Sequence, residues 1–142
     1  MRPEDIAKKL NLDPHPEGGY YRRVYTHETK YEGERGLASS IYFLLEGGMQ
    51  TRWHKTDGDE LWLWHAGSPI LLSMAQHDVG PVTTLVLGAN VFGGEHPQLL
   101  ILENHWQSAK VDGLWALVSC VVSPEFTFDK YIMADDGWFP GK

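Results

Sequence analysis

The sequence predicts an all-β domain with a short N-terminal helix. From residue 37 onward, short apolar stretches alternate with turn-forming clusters such as Glu46-Gly47-Gly48 and Gly67-Ser68-Pro69. Many short strands at this spacing are typical of a β-sandwich or barrel. The 142 residues, 42% of them hydrophobic, suffice for one core, so we expect a single domain over residues 1–142.

Two elements precede the β-rich region. Residues 3–10 are predicted to be helical, because Pro3 suits the first turn and Ile6 and Leu10 form an apolar stripe. Residues 20–26 are predicted to be a strand, followed by a charged loop. Further strands are predicted at residues 37–45, 49–54, 60–66, 70–76, 82–87, 98–102 and 115–122.

Composition excludes several classes of partner. Twelve basic and nineteen acidic residues give a net charge of −7, which disfavours nucleic acids and anionic membranes. No apolar run approaches the roughly 20 residues of a membrane span, and residues 1–5 lack the apolar core of a signal peptide. The lone Cys120 lies in an apolar run and is expected to be a buried thiol. We therefore expect a cytoplasmic protein.

Residues 49–66 are predicted to form a hairpin that carries chemistry. The turn falls at Asp57-Gly58, which is a typical hairpin signal. A three-residue loop with Gly58 in the left-handed conformation places His54 opposite Glu60. A two-residue loop would instead place His54 opposite Leu61. We expect the first arrangement.

The same stretch resembles the first cupin motif. Gly48, His54, Glu60 and Gly67 match its spacing, with Thr56 where a second histidine is usual. Residues 12–132 resemble one branch in particular, the cupin_5 family (DUF985). Its ordered features here are His15-Pro16-Glu17-Gly18-Gly19-Tyr20, Ser40-Ile41-Tyr42-Phe43-Leu44-Leu45, Asp59-Glu60, Pro97-Gln98, Trp106-Gln107 and Trp115-Ala116-Leu117-Val118-Ser119-Cys120. The resemblance implies a double-stranded β-helix, the jelly-roll barrel of cupins.

The resemblance also locates the metal-ligand positions of cupins. They correspond to His54, Thr56, Glu60 and Gln107. A hydroxyl and an amide replace two imidazoles, and both are weak ligands for transition metals. We expect no bound metal cofactor; a divalent metal held by His54 and Glu60 is the weaker alternative.

The expected function is small-molecule binding in the barrel, with isomerase- or epimerase-like chemistry on a sugar or similar polar metabolite as the catalytic hypothesis. His54 and Glu60 are the candidate catalytic pair, because a carboxylate beside an imidazole raises its pKa and fixes its tautomer. Candidate ligand-binding residues are Tyr20, Arg22, Tyr42, Thr56, Trp62 and Gln107.

Several alternatives stay open. The protein is either an enzyme or a non-catalytic binding or sensor module, and a metal-dependent enzyme with a depleted site is the third hypothesis. Tyr20, Tyr42 and Tyr131 are the available tyrosine acids. The segment 15–20 is a turn or a lip over the barrel mouth, in which Glu17 or the Tyr20 hydroxyl touches ligand. We expect a homodimer, because the edge strands of an open jelly roll need covering.

Overall fold

The computed structural model describes residues 2–142; Met1, which the predicted domain includes, lies outside the described residues. Strands dominate, as the sequence predicts. In chain order the elements are α1 (Pro3–Lys9), β1 (Asp13–Pro14), β2 (Tyr20–His27), β3 (Ala38–Glu46), β4 (His54–Lys55), β5 (Asp59–Gly67), β6 (Ile70–Ala75), β7 (Thr83–Leu87), β8 (Gln98–Ile101), β9 (Trp106–Val111), β10 (Trp115–Ser123) and β11 (Ile132–Met133), with 3₁₀ turns at Val91–Gly93 and Phe128–Lys130.

The strands form two antiparallel sheets that face each other. Sheet A has the order β1-β2-β3-β10-β5-β8, and sheet B has the order β11-β4-β9-β6-β7. The fold is therefore the expected all-β barrel with a short N-terminal helix. Within the part of the chain that the structure describes, no helix has the length and hydropathy needed to span a membrane.

Alternation along β3 separates two apolar layers. Phe43 and Leu45 point into the core between the sheets, whereas Leu44 points outward. On that outer face Leu44 packs against Ala7 of α1, and Ile6 and Leu10 pack beside them. The helix stripe read from the sequence is thus the surface that covers the outside of sheet A.

The predicted hairpin is wrong. Residues 49–53 form no strand, and β4 pairs with β9 and β11 in sheet B, whereas β5 pairs with β8 and β10 in sheet A. Gly58 does not take a positive φ. A Cβ on Gly58 would instead lie 2.8 Å from Val122 Cγ1, so close packing requires this glycine. The Arg35 guanidinium donates two hydrogen bonds of 2.7 Å to the Asp57 carboxylate and so stabilises the connection between β4 and β5.

The sequence pattern did not predict strand β9. Its inward residues include Gln107, which lies directly opposite His54 on the neighbouring β4. The alternation in Trp106–Val111 is masked because four consecutive residues, 106–109, are all buried. A strand buried on both faces lacks the period-two polarity that identifies half-exposed strands.

Candidate functional site

A cavity of about 290 Å³ opens between the two sheets. Its polar groups lie among aromatic and aliphatic side chains, as is usual for small-molecule sites. The residues that line it are Asp13, His15, Glu17, Tyr21, Arg22, Arg23, Ile41, Phe43, His54, Thr56, Glu60, Trp62, Cys120, Val122, Phe126, Phe128 and Tyr131.

His54 lies at the start of β4, and its side chain is only 6% exposed. Nδ1 is 2.8 Å from the Arg52 carbonyl oxygen and 2.9 Å from Glu17 Oε1. Both neighbours only accept hydrogen bonds, so Nδ1 must carry a hydrogen, which it donates to Arg52. In the neutral ring the nitrogen with a free lone pair is then Nε2, for which no described residue is a hydrogen-bond partner. Burial opposes the charged form of His54, but Glu17, the Arg52 carbonyl and Glu60 together outweigh burial and raise the pKa of His54.

Glu17 reaches this position through the turn at residues 15–19. The His15 backbone N–H donates a hydrogen bond to the Gly19 carbonyl at 2.9 Å, and the Gly18 N–H donates to the His15 carbonyl at 2.9 Å. Gly19 has a φ of +73°, and a Cβ there would collide with the Leu44 carbonyl. The glycine thus lets the turn lie directly against β3.

The Glu17 carboxylate is buried, with 4% of its side chain exposed. Burial favours its neutral form, but His54, helped by Tyr131 and His15, outweighs burial, so the pKa of Glu17 lies below its ordinary value. Below the raised pKa of His54 the two groups therefore form a buried carboxylate–imidazolium pair, and above it His54 is the neutral ring with Nε2 free. The Tyr131 ring lies 5.4 Å from the His54 ring, and burial together with Glu17 raises the pKa of its hydroxyl.

His15 is held differently from His54. Its Nδ1 accepts a 3.0 Å hydrogen bond from the Glu17 backbone N–H. A backbone N–H only donates, so Nδ1 carries no hydrogen, and the neutral ring is protonated at Nε2. The ring contacts Tyr21 and Phe43 at centroid distances of 4.7 and 4.9 Å. Burial lowers the pKa of His15, which favours the neutral ring.

Glu60 enters the cavity from β5 of the opposite sheet. Gln107 Nε2 donates to Glu60 Oε1 at 2.8 Å, and Trp62 Nε1 donates to Gln107 Oε1 at 2.9 Å. All three side chains are buried. Burial raises the pKa of Glu60, so this carboxyl holds its proton more readily than Glu17 does. Cys120 lies beside it, and burial raises the pKa of the thiol.

Comparison with known proteins places the chain in a family. The model of the Cupin_5 family, described as "Cupin superfamily (DUF985)", matches residues 4–134. The protein belongs to the Cupin_5 family. The chain is similar to a protein from Shewanella oneidensis whose crystal structure is known, with 38% sequence identity and a TM-score of 0.87. The alignment covers 95% of this chain and 85% of the Shewanella chain. It is also similar to a hypothetical protein from Leishmania major, with 30% identity and a TM-score of 0.86. That alignment covers 97% of this chain and 90% of the Leishmania chain.

More distant matches show the cupin fold alone. Oxalate decarboxylase from Bacillus subtilis aligns with a TM-score of 0.64 at 16% identity, over 84% of this chain and 29% of the decarboxylase chain. No protein of curated function gives a significant match to the sequence. Family membership supports small-molecule binding in a barrel in general terms.

The Cupin_5 structure brings most of the candidate site residues together. His54, Thr56, Glu60, Trp62 and Arg22 line the cavity. His54 and Glu60 converge across the barrel from two sheets, not across a hairpin. Arg22 Nε donates a hydrogen bond to the Leu10 carbonyl at 2.9 Å.

Three candidate ligand-binding residues lie elsewhere. Tyr20 and Tyr42 pack on the outer face of sheet A beside α1, because alternation places their side chains on the opposite face from Tyr21 and Phe43, which line the cavity. Gln107 lies behind Glu60 and orients it without lining the cavity. These residues are therefore not in contact with the cavity.

Three residues of the site, Glu17, Tyr131 and His15, were not among the catalytic or ligand-binding residues predicted from the sequence. Glu17 appeared only as the alternative to a plain turn, Tyr131 as one of three tyrosines, and His15 only within the turn. The pair of glycines after Glu17 was the available signal, because a backbone with that freedom often packs tightly against a neighbour. No local pattern identified Tyr131, which follows the 3₁₀ turn at Phe128–Lys130.

The donor groups do not fit a cupin metal. The Thr56 hydroxyl donates to the Gly58 carbonyl at 3.1 Å and accepts from the Gly58 N–H at 3.3 Å. Both ends of the Gln107 amide are engaged with Trp62 and Glu60. Among residues 2–142 no cluster of three or more His, Cys, Asp or Glu side chains has an arrangement suited to a metal ion. His54 and Glu60 are too few donors for a tight site.

Proposed function

We propose that this Cupin_5 protein binds a small polar metabolite in the barrel cavity and moves a proton on it without a metal, as an isomerase or epimerase does. A sugar or a similar hydroxylated compound is the proposed substrate class. The observation that carries the proposal is the 2.9 Å contact between Glu17 Oε1 and His54 Nδ1. It supports the use of His54 as an acid–base group.

The role of His54 follows from its two Nδ1 contacts. The Arg52 carbonyl fixes the ring orientation, and Glu17 stabilises the imidazolium that forms when Nε2 takes a proton. A carboxylate placed in this way makes the neutral imidazole a stronger base. The free lone pair of Nε2 is the proposed acceptor of a proton from a carbon or hydroxyl of the ligand.

Glu60 is the proposed proton donor from the other sheet. Its raised pKa favours the acid form, and the hydrogen bond from Gln107 fixes Oε1. A base and an acid whose pKa values are pushed apart by their surroundings are a common arrangement for proton transfer at neutral pH. The aromatic rings of Tyr21, Phe43 and Trp62 would pack against the apolar face of a sugar ring.

Deuterium exchange tests the proposal on a panel of compounds, because exchange at any carbon reports proton transfer. Aldoses, ketoses and nucleotide sugars are incubated with the protein in D₂O, and loss of C–H signals is followed by proton NMR. Saturation-transfer NMR on the same compounds reports binding. We expect the unmodified protein to exchange at least one compound, His54→Gln to bind it without exchange, and the control His77→Gln, an exposed histidine, to behave as the unmodified protein.

The same experiment separates the alternatives. Binding without exchange by the unmodified protein would support the non-catalytic binding or sensor module. Exchange that survives in His54→Gln would refute the assigned base.

A further inference from the structure

We propose that His15 is a second catalytic residue, whose Nε2–H donates a hydrogen bond to a ligand carbonyl oxygen, and that the substrate class is therefore a small carbonyl compound with an acidic C–H beside the carbonyl. This inference rests on the proposed function and names its substrate class. It depends on the arrangement of two histidines around one glutamate.

Glu17 holds the two imidazoles in opposite tautomers. Its backbone N–H donates to His15 Nδ1 at 3.0 Å, which leaves the hydrogen of that ring on Nε2. Its side-chain Oε1 lies 2.9 Å from His54 Nδ1, and the Arg52 carbonyl is 2.8 Å from the same nitrogen, which leaves Nε2 of the neutral ring free to accept. The tautomers follow from donor and acceptor chemistry alone.

Both rings line the same cavity. The Glu17 carboxylate lies between them, with Oε2 at 3.8 Å from His15 Nδ1. His15 is 8% exposed at its side chain and is confined by Tyr21 and Phe43, so its Nε2–H is a preorganised donor. No described residue accepts a hydrogen bond from this group, and a ligand oxygen would therefore satisfy it.

A neutral donor beside a base is suited to enolisation. His54 Nε2 takes the proton from the carbon next to the carbonyl, and the C–H electron pair becomes the C=C bond of the enolate. The carbonyl π electrons move to oxygen, where the His15 N–H stabilises the developing charge. A proton then returns to the same carbon, from His54 or from Glu60; the C=C electrons form the new C–H bond and the C=O bond is restored, so no oxidant or reductant is needed.

The tautomer is tested directly in the unmodified protein. Long-range ¹⁵N–¹H correlation NMR on histidine-labelled protein is assigned with His15→Phe, which keeps an aromatic ring between Tyr21 and Phe43. We expect His15 to be protonated at Nε2 only. A charged ring, or one protonated at Nδ1, would overturn the inference.

Ligand contact is tested with acetohydroxamic acid, a planar mimic of an enediolate. We expect its affinity to fall about tenfold in His15→Phe, the value of one good hydrogen bond. His15→Gln, which restores an N–H donor, should recover most of the loss, and the exposed control His77→Phe should change nothing. No binding by the unmodified protein, or equal binding by His15→Phe, counts against the proposal.

The deuterium-exchange assay separates this inference from the proposed function. If His15→Phe exchanges carbonyl compounds as fast as the unmodified protein does, His15 has no catalytic role and the function assigned to His54 stands. If no compound exchanges but hydroxamate binding depends on His15, the proton-transfer function fails and His15 remains a ligand-binding donor without the catalytic role proposed here.

Discussion

Replacing Glu17 with glutamine removes one charge of the buried pair and keeps its shape. The side chains of Glu17 and His54 are 4% and 6% exposed, and their polar atoms are 2.9 Å apart. Two charges centred roughly 4 Å apart attract by about 4 kcal/mol at an effective dielectric constant of 20. The variant recovers part of this energy, because His54 can release its proton when Glu17 is neutral. We therefore expect the unfolding free energy near pH 6 to fall by about 2–3 kcal/mol, at or just below the loss that is usual when one partner of a buried ion pair is removed.

The loss should depend on pH with a definite sign. The pKa of His54 is raised above its ordinary 6.5, so its contribution is fully present below pH 6.5 and disappears as the pH rises through the folded value. The pKa of Glu17 is lowered below its ordinary 4.5, so its contribution is present above pH 4.5 and disappears as the pH falls through the folded value. The difference between the proteins should be greatest between these limits.

Urea denaturation from pH 5 to pH 10 measures the difference. Thermal unfolding is a second measurement. In a chain of this size each kcal/mol of lost stability lowers the melting temperature by about 4 °C, so the melting temperature of Glu17→Gln near pH 6 should be roughly 8–12 °C lower. Glu103→Gln, at an exposed carboxylate, is the control and should change stability by less than about 0.5 kcal/mol. A loss in Glu17→Gln that is equal at pH 6 and pH 10, or greater at pH 10, would refute the ion pair.

Three further predictions concern the metal positions, the core and assembly. Thr56→His with Gln107→His should raise metal affinity by orders of magnitude, because two imidazoles complete the donor set; stoichiometric metal in the unmodified protein that is lost in His54→Ala would contradict this. Trp62→Phe should cost about 1–3 kcal/mol in urea denaturation, because the Gln107 oxygen loses its buried donor; a cost near zero would show that the bond to Glu60 alone orients the amide. Light scattering should give twice the chain mass of 16.1 kDa, since four strands lie at sheet edges, and a mass equal to that of one chain would exclude the dimer.

The sequence by itself determined the kind and position of most elements. Gly, Pro, Asn and Asp clusters mark the turns, and alternation predicts β3, β5, β6, β7, β8 and β10 to within about two residues at each end. These signals are local, because turn conformations and half-buried strands depend on neighbouring residues. The family motif also identified His54 and Glu60, since its spacing reflects their positions in the barrel.

Only the tertiary structure decided which groups meet in the cavity. Local alternation tells which residues share a face but not which sheet a strand joins, so β4 and β5 were paired with each other although they lie in opposite sheets. Glu17 and Tyr131 reach His54 from the two ends of the chain. Contacts over such separations depend on the packing of the whole barrel, and the ionisation of the glutamate and histidine depends on the burial that this packing creates.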